Sequence, residues 1–539
     1  MAGLEEAFDR IGAVVEHHLP LTHGAGLALA VTDDHDTLGA VVRGFADVAS
    51  GRAVRPETRF QIGSISKSWA ALCVLQEEAK GTLDLDVSIN EILPWLELPE
   101  PYGPITMHAL LTHTSGLMIG VEHAPWSRID ALRARDVPAT MEPGERFWYS
   151  NLAYKLVGFA LEDVTGMPIH DILTERLIGP LGLTDTFAAI TQEVRADAAV
   201  GYGPLLDDRP AHRNHPLAPA PWQPSNTADG SIVSTAPDLA AYGRVVLNGG
   251  RGGQGELLDA EQFARWIGPH VATDEDAWRY GYGWDVSTAG RRVIRHSGGT
   301  IGFTGLLEIW PDEGIAVAIT MNGGGSQEAK DAIATYALSA VSSALRGETL
   351  PPVEHPPALD AVAGAQDLAG SYVGGERAWE LDPQDGGLVL RAGPLAVRLE
   401  RWEAEPDTFA VPHPAFDRYL LRAVRDDSGA VVGLTHGPAA LGRDGTVEPA
   451  VDPRWTAHTG FYRSNDPWGA AVRIYERGGS LYAMWPDDGA EFELAALDDA
   501  WFAVGDPRAP RRARFADPID GVFQSFDLNG GIAYRSFEG

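Results

Sequence analysis

The chain has 539 residues, 44% of them hydrophobic, and a formal net charge of −33. Its length predicts two to four domains with sizeable cores, and its charge argues against nucleic acid or an anionic membrane surface as a partner. A single cysteine, Cys73, excludes an internal disulfide.

In chain order, Met1–Arg10 shows no basic segment followed by an apolar core, so no signal peptide is expected. No apolar run reaches membrane-spanning length. The expectation is a cytoplasmic protein, or a secreted or periplasmic one if a leader has been lost. Next comes Phe60-Gln61-Ile62-Gly63-Ser64-Ile65-Ser66-Lys67. It places a serine at the mouth of a predicted helix and a lysine one turn in, on the same face. A serine hydroxyl becomes a good nucleophile when a neighbouring base takes its proton. Lysine can do this and arginine cannot. The chain has only four lysines, Lys67, Lys80, Lys155 and Lys330, and one stands where this chemistry needs a primary amine. Cys73, nine residues past Ser64 on the same helix, reads as a small buried residue rather than a reactive thiol.

Glu142-Pro143-Gly144-Glu145 is a turn, followed by Tyr149-Ser150-Asn151 and a helical pattern over 152–161 with Gly166 as its C-cap. Tyr149 at the helix entrance sits where positive potential favours a phenolate that can pass protons. Asn151 can orient Lys67 or a substrate amide. Farther on, the short strand-like run Arg292–Arg295 leads into His296-Ser297-Gly298-Gly299. Leu306–Trp310 and Ile315–Thr320 follow as a hairpin about the turn at 311–314. The glycines Gly298 and Gly299 let a substrate backbone lie along the strand edge. The N–H of Gly299 can join that of Ser64 to hold a developing oxyanion. His296 can bind a carboxylate or assist proton movement. No metal-ligand spacing is seen, and no cofactor is expected.

Ser-x-x-Lys, Tyr-x-Asn and His-x-Gly in this order resemble the penicillin-recognising serine hydrolases: class C β-lactamases, DD-carboxypeptidases, D-aminopeptidases and esterases. Ile105–Leu117, Asn226–Leu239 and Tyr280-Gly281-Tyr282-Gly283-Trp284 resemble further segments of that superfamily, over about the first 345 residues. The resemblance implies a catalytic domain made of an antiparallel sheet flanked by helices plus a helical subdomain. It makes Ser64 the acylated nucleophile. Lys67 and Tyr149 share acid–base work, with His296 as a further catalytic residue. Asn151, Gly298, Gly299 and the N–H of Ser64 hold substrate and oxyanion. His296 replaces the lysine usual in β-lactamases, which points to the peptidase and esterase branches. Thr112, His113, Thr114 and Ser115 read as structural. A peptide, amide or ester is the implied substrate, and a homo-oligomer is compatible.

Residues 347–362 form a proline-rich linker after a domain at 1–346. Beyond it, four segments recur at an offset of 90 to 93 residues: Gly370-Ser371-Tyr372 with Gly460-Phe461-Tyr462, 386–389 with 478–481, 408–411 with 501–504, and 427–431 with 519–523. This indicates a duplicated module, read as two small antiparallel β-barrels at 363–450 and 451–539. Two such barrels resemble the three-domain D-aminopeptidases, in which a loop of the last barrel narrows the cleft. The candidate loops are 463–469 and 505–512.

Overall fold

A computed structural model describes residues 2–118, 127–137, 139–402, 405–443, 445–447, 452–465, 468–469 and 471–536. The chain divides into two compact units. The first comprises residues 1–203 and 217–355; the second comprises 204–216 and 356–539.

The first unit is built on a nine-stranded sheet. Its central strands, Ile294–Thr300, Phe303–Trp310, Ile315–Gly324, His23–Thr32 and Thr37–Asp47, are antiparallel throughout. The expected hairpin about 311–314 is present, with Trp310 opposite Ile315. The N-terminal strands thus complete a sheet supplied mainly by the C-terminal part of the unit. Strand alternation sends neighbouring residues to opposite faces. Leu27, Leu29 and Val31 face a cluster containing Ile11 and Val15 of helix Ala2–His18 and Leu338 and Val341 of helix Gln327–Arg346. Ala28 and Ala30 face the other core, which includes the buried helix Ser66–Ala79 and the helices Asn151–Thr165 and Ala236–Leu247.

The helix end expected at Gly166 is seen. Asn151–Thr165 is capped by the Ser150 hydroxyl, which accepts from the Ala153 N–H, and closes on Gly166 at φ 70°. Gln327–Arg346 closes on left-handed Gly347. Cys73 is fully buried, and burial pushes its thiol up to about 12. No helix among the described residues is long and apolar enough to cross a membrane.

The second unit holds a ten-stranded sheet, Gly370–Gly374 through Thr446–Val447, and a closed eight-stranded barrel, Gly460–Arg463 through Gly531–Ser536. The end strands of the first sheet, Leu395–Arg398 and Glu400–Arg401, are one residue apart in the chain, so this barrel is nearly closed. The repeated sequence segments occupy equivalent places. Tyr372 and Tyr462 are both fully buried, and each donates its hydroxyl proton to the carbonyl four residues back, at 2.7 and 2.8 Å. The structure adds a pair at the same spacing. Arg443 donates to the carbonyls of Asp367 and Ala369, and Arg535 to those of Ala457 and Thr459. In each module a late-strand guanidinium clasps the entry to the first strand.

Residues 204–216 leave the first unit's sequence to pack within the second, which the sequence did not suggest. Arg209 pairs with Asp417 at 2.9 Å and His212 with Glu400 at 2.9 Å. The N–H of Ala211 donates to the Asp487 carbonyl. The segment therefore touches both barrels. Of the two candidate loops, Asp466 and Pro467 in 463–469 lie outside the described residues. The other, 505–512, is folded back on itself by Arg512, whose guanidinium donates to the carbonyls of Pro507, Ala509 and Arg511. The expected boundary between barrels at 450/451 also lies outside the described residues.

Candidate active site

Ser64 lies in a single 3-10 turn, Gly63–Ile65, that runs directly into the helix Ser66–Ala79. Before it, Phe60 and Gln61 pair with Ser234 and Val233. That short ladder brings residues 229–232 beside the helix start, where Ile232 N–H donates to the Ser66 hydroxyl. Gly63 takes φ +54°, and a Cβ there would stand 2.5 Å from the Gly299 carbonyl oxygen and 2.6 Å from its nitrogen. A Cβ on Gly298 would overlap the Ile62 carbonyl oxygen and lie 3.1 Å from the Ser64 nitrogen. The turn and the strand Ile294–Thr300 therefore meet backbone to backbone, an approach only glycine permits. A Cβ on Gly299, by contrast, meets no atom within 4 Å.

Lys67 is fully buried. Its Nζ lies 3.0 Å from Ser64 Oγ, 2.7 Å from Asn151 Oδ1 and 2.9 Å from the Asp229 carbonyl oxygen. It also stands 4.9 Å from the centre of the Tyr149 ring. Asn151 reaches it because it opens the helix Asn151–Thr165. Tyr149, two residues earlier, is half-buried and packs against His113 with ring centres 4.3 Å apart and the rings tilted by 38°. His113 Nδ1 accepts the Ser150 N–H at 3.0 Å, so the LLTHTSGL segment holds the Tyr-x-Asn segment in place. Burial holds His113 well below the usual histidine range.

His296 sits inside the strand Ile294–Thr300. It is buried, with Nε2 3.0 Å from the Tyr280 hydroxyl and Nδ1 2.5 Å from the Ser297 carbonyl. Burial pushes its pKa down to about 3, and Lys67 adds to the shift. Ser64, Lys67, Tyr149, Asn151, His296, Gly298 and Gly299 are thus gathered into one region by three separate stretches of chain. Two further participants had no assigned role in the sequence, the Asp229 carbonyl and the hydroxyl of Tyr280, while His113, read as structural, braces the Tyr149 segment. A backbone carbonyl has no residue-type signature. Tyr280 lay in a segment singled out only by resemblance.

Fold and site together define a serine hydrolase of the β-lactamase and penicillin-binding type. A family model described as Beta-lactamase matches residues 13–342, more than half of the chain, and the protein belongs to that family. It is 28% identical over 386 residues to penicillin-binding protein 4 of Amycolatopsis lactamdurans, covering 68% of this chain and 96% of that one. It is 28% identical over 408 residues to a D-aminopeptidase of Cereibacter sphaeroides, covering 72% of this chain and 70% of that one. A solved structure, the octameric penicillin-binding protein homologue from Pyrococcus abyssi, shares the fold at a TM-score of 0.57 and 24% identity, over 81% of this chain and 99% of that one.

Proposed function

We propose that the protein is an exopeptidase of the D-aminopeptidase type, which cleaves an amide bond through an acyl-enzyme on Ser64. One observation carries the acyl-enzyme step: Lys67 Nζ lies within hydrogen-bond distance of Ser64 Oγ, the Asn151 side-chain oxygen and the Asp229 carbonyl oxygen. Two of these partners are the carbonyl-type oxygens of Asn151 and Asp229, which only accept hydrogen bonds. A neutral amine has two N–H bonds and one lone pair. A neutral Lys67 that donates to those oxygens can turn its lone pair to the Ser64 hydroxyl, 3.0 Å away. Lys67 thus takes the proton as Ser64 Oγ attacks the carbonyl carbon. The N–H groups of Ser64 and Gly299 receive the oxyanion. Tyr149 relays a proton to the departing amine, and water then releases the acyl group from Ser64.

Amide rather than ester cleavage is supported by the alignment with the D-aminopeptidase, whose 408 residues exceed the span of the family match and so take in part of the second unit. The duplicated barrel fits the same reading. The test is a hydrolysis screen with Ser64→Ala as blank, using D- and L-aminoacyl p-nitroanilides, p-nitrophenyl acyl esters and a chromogenic cephalosporin. Fastest cleavage of free-amine D-aminoacyl anilides is expected. Cleavage of esters alone would make the protein an esterase. A chain that turns over nothing and leaves Ser64 unlabelled by a fluorophosphonate would be a silent binding protein.

A further inference from the structure

The hydrogen bonds of His296 fix its tautomer. Nδ1 lies 2.5 Å from the Ser297 carbonyl oxygen. A carbonyl only accepts, so Nδ1 carries a proton. Nε2 lies 3.0 Å from the Tyr280 hydroxyl. Two states satisfy that contact: a neutral ring whose Nε2 accepts from Tyr280, or an imidazolium whose Nε2–H donates to it. The surroundings decide between them. His296 is 4% exposed and Tyr280 1%. The groups around the imidazole are Lys67 on one helix, Tyr149 ahead of another, His113, Tyr280, and Arg295 on its own strand. None of these is an anion that would repay a buried imidazolium, and Arg295 is a cation. Tyr280, held well above the usual phenol range by burial, keeps its proton and can donate it.

We propose that Tyr280 is a positioning residue for the acyl-transfer site: its hydroxyl locks His296 as the neutral Nδ1–H tautomer, which grips the Ser297 carbonyl and holds the Ser297–Gly299 edge against Ser64. The inference rests on the acyl-enzyme reading for its catalytic consequence. The grip acts on the peptide that joins Ser297 to Gly298, the residue whose α-carbon backs onto the Ile62 carbonyl. Turning that peptide would carry the Gly299 N–H away from the Ser64 N–H. A neutral ring with both nitrogens engaged also gives a substrate neither a charge nor a free N–H. At this point of the strand the enzyme therefore recognises the backbone of an acyl group, not a carboxylate.

Tyr280→Phe is the direct test, since it keeps the ring that faces His113 at 4.8 Å and Phe147 at 5.3 Å and removes only the hydroxyl. The first readout is 15N NMR of imidazole-labelled protein, with His296→Gln to identify the signal. It needs no turnover, so it stands even if the acyl-enzyme reading fails. Wild type should show a protonated Nδ1 and a hydrogen-bonded, unprotonated Nε2, unchanged from pH 5 to 8. In Tyr280→Phe the Nε2 signal should move to that of a free lone pair or exchange between tautomers. The second readout is the rate of Ser64 labelling by a fluorophosphonate, expected to fall about tenfold or more in a protein that stays folded and melts only a few degrees lower. A protonated Nε2 in wild type would overturn the proposal, and so would wild-type labelling by Tyr280→Phe. Absence of labelling in wild type would instead refute the acyl-enzyme reading, leaving the tautomer to the NMR result.

Discussion

Adding one carbon at Gly298 tests whether the turn and the strand edge must touch. The Cβ of Gly298→Ala would overlap the Ile62 carbonyl oxygen, with the carbonyl carbon 2.9 Å away and the Ser64 nitrogen 3.1 Å away. All three are backbone atoms, so no side chain can swing aside. The strand must shift away from the Gly63–Ile65 turn, and overpacking of this kind costs about 1–3 kcal/mol. The shift separates the N–H groups of Ser64 and Gly299. Loss of one oxyanion donor costs about 10²–10³-fold in kcat. Gly299→Ala is the control, because its Cβ meets no atom within 4 Å. The assay is kcat/KM on the best substrate of the screen, with thermal unfolding alongside. Gly298→Ala should lose at least about a hundredfold in kcat/KM while melting only a few degrees lower. Gly299→Ala should stay folded as wild type and lose activity only toward bulky substrates. Wild-type kcat/KM in Gly298→Ala would show that the spacing between turn and strand does not govern acylation.

Three other outcomes are expected. Lys67→Arg cannot surrender a proton and should lose about 10²–10⁴-fold in the rate of Ser64 acylation; a burst of product at wild-type rate would remove the lysine from the mechanism. Acid should destabilise the protein through His296: its folded pKa of about 3 lies below its ordinary 6.5, so its contribution is complete above pH 6.5 and is lost as pH falls toward 3. Asp285, which burial holds up at about 6, acts oppositely, stabilising below 3.8 and losing that effect as pH rises through 6. Urea midpoints measured from pH 4 to 8 should therefore flatten on the acid side in His296→Gln and steepen in Asp285→Asn. Arg535→Ala should strip hydrogen bonds from the carbonyls of Phe523, Thr459 and Ala457 and the hydroxyl of Tyr462, at about 1–3 kcal/mol for each group left buried and unpaired. Hydrogen exchange should then rise across 457–463 and not across 367–373.

What the sequence made legible follows from the distance over which each signal acts. Ser64 and Lys67 are three residues apart, so helical geometry alone sets the serine hydroxyl beside the amine. Gly166 announces a helix end because left-handed backbone there favours glycine. The hairpin of Phe303–Trp310 and Ile315–Gly324 shows in its apolar runs and the turn between them. The barrels show through their repeat, since two copies of one module preserve the same turns and the same buried tyrosine.

The illegible parts depend on partners far apart in the chain or on groups that every residue has. Lys67 meets the Asp229 carbonyl across 162 residues, and any residue at 229 would supply that oxygen. The excursion of 204–216 into the second unit is written only in pairs such as Arg209 with Asp417, 208 residues apart. His296 is the most instructive case. Its residue type suggested a group able to carry charge or protons, and its place in His-x-Gly set it near the nucleophile. Its state is decided by a tyrosine sixteen residues earlier and by the carbonyl of the residue that follows it. Arg443 and Arg535 mark the opposite limit. Their offset of 92 residues matches the repeat and could have been read from the sequence. A guanidinium at the end of a strand simply looks like surface charge until the carbonyls it clasps are known.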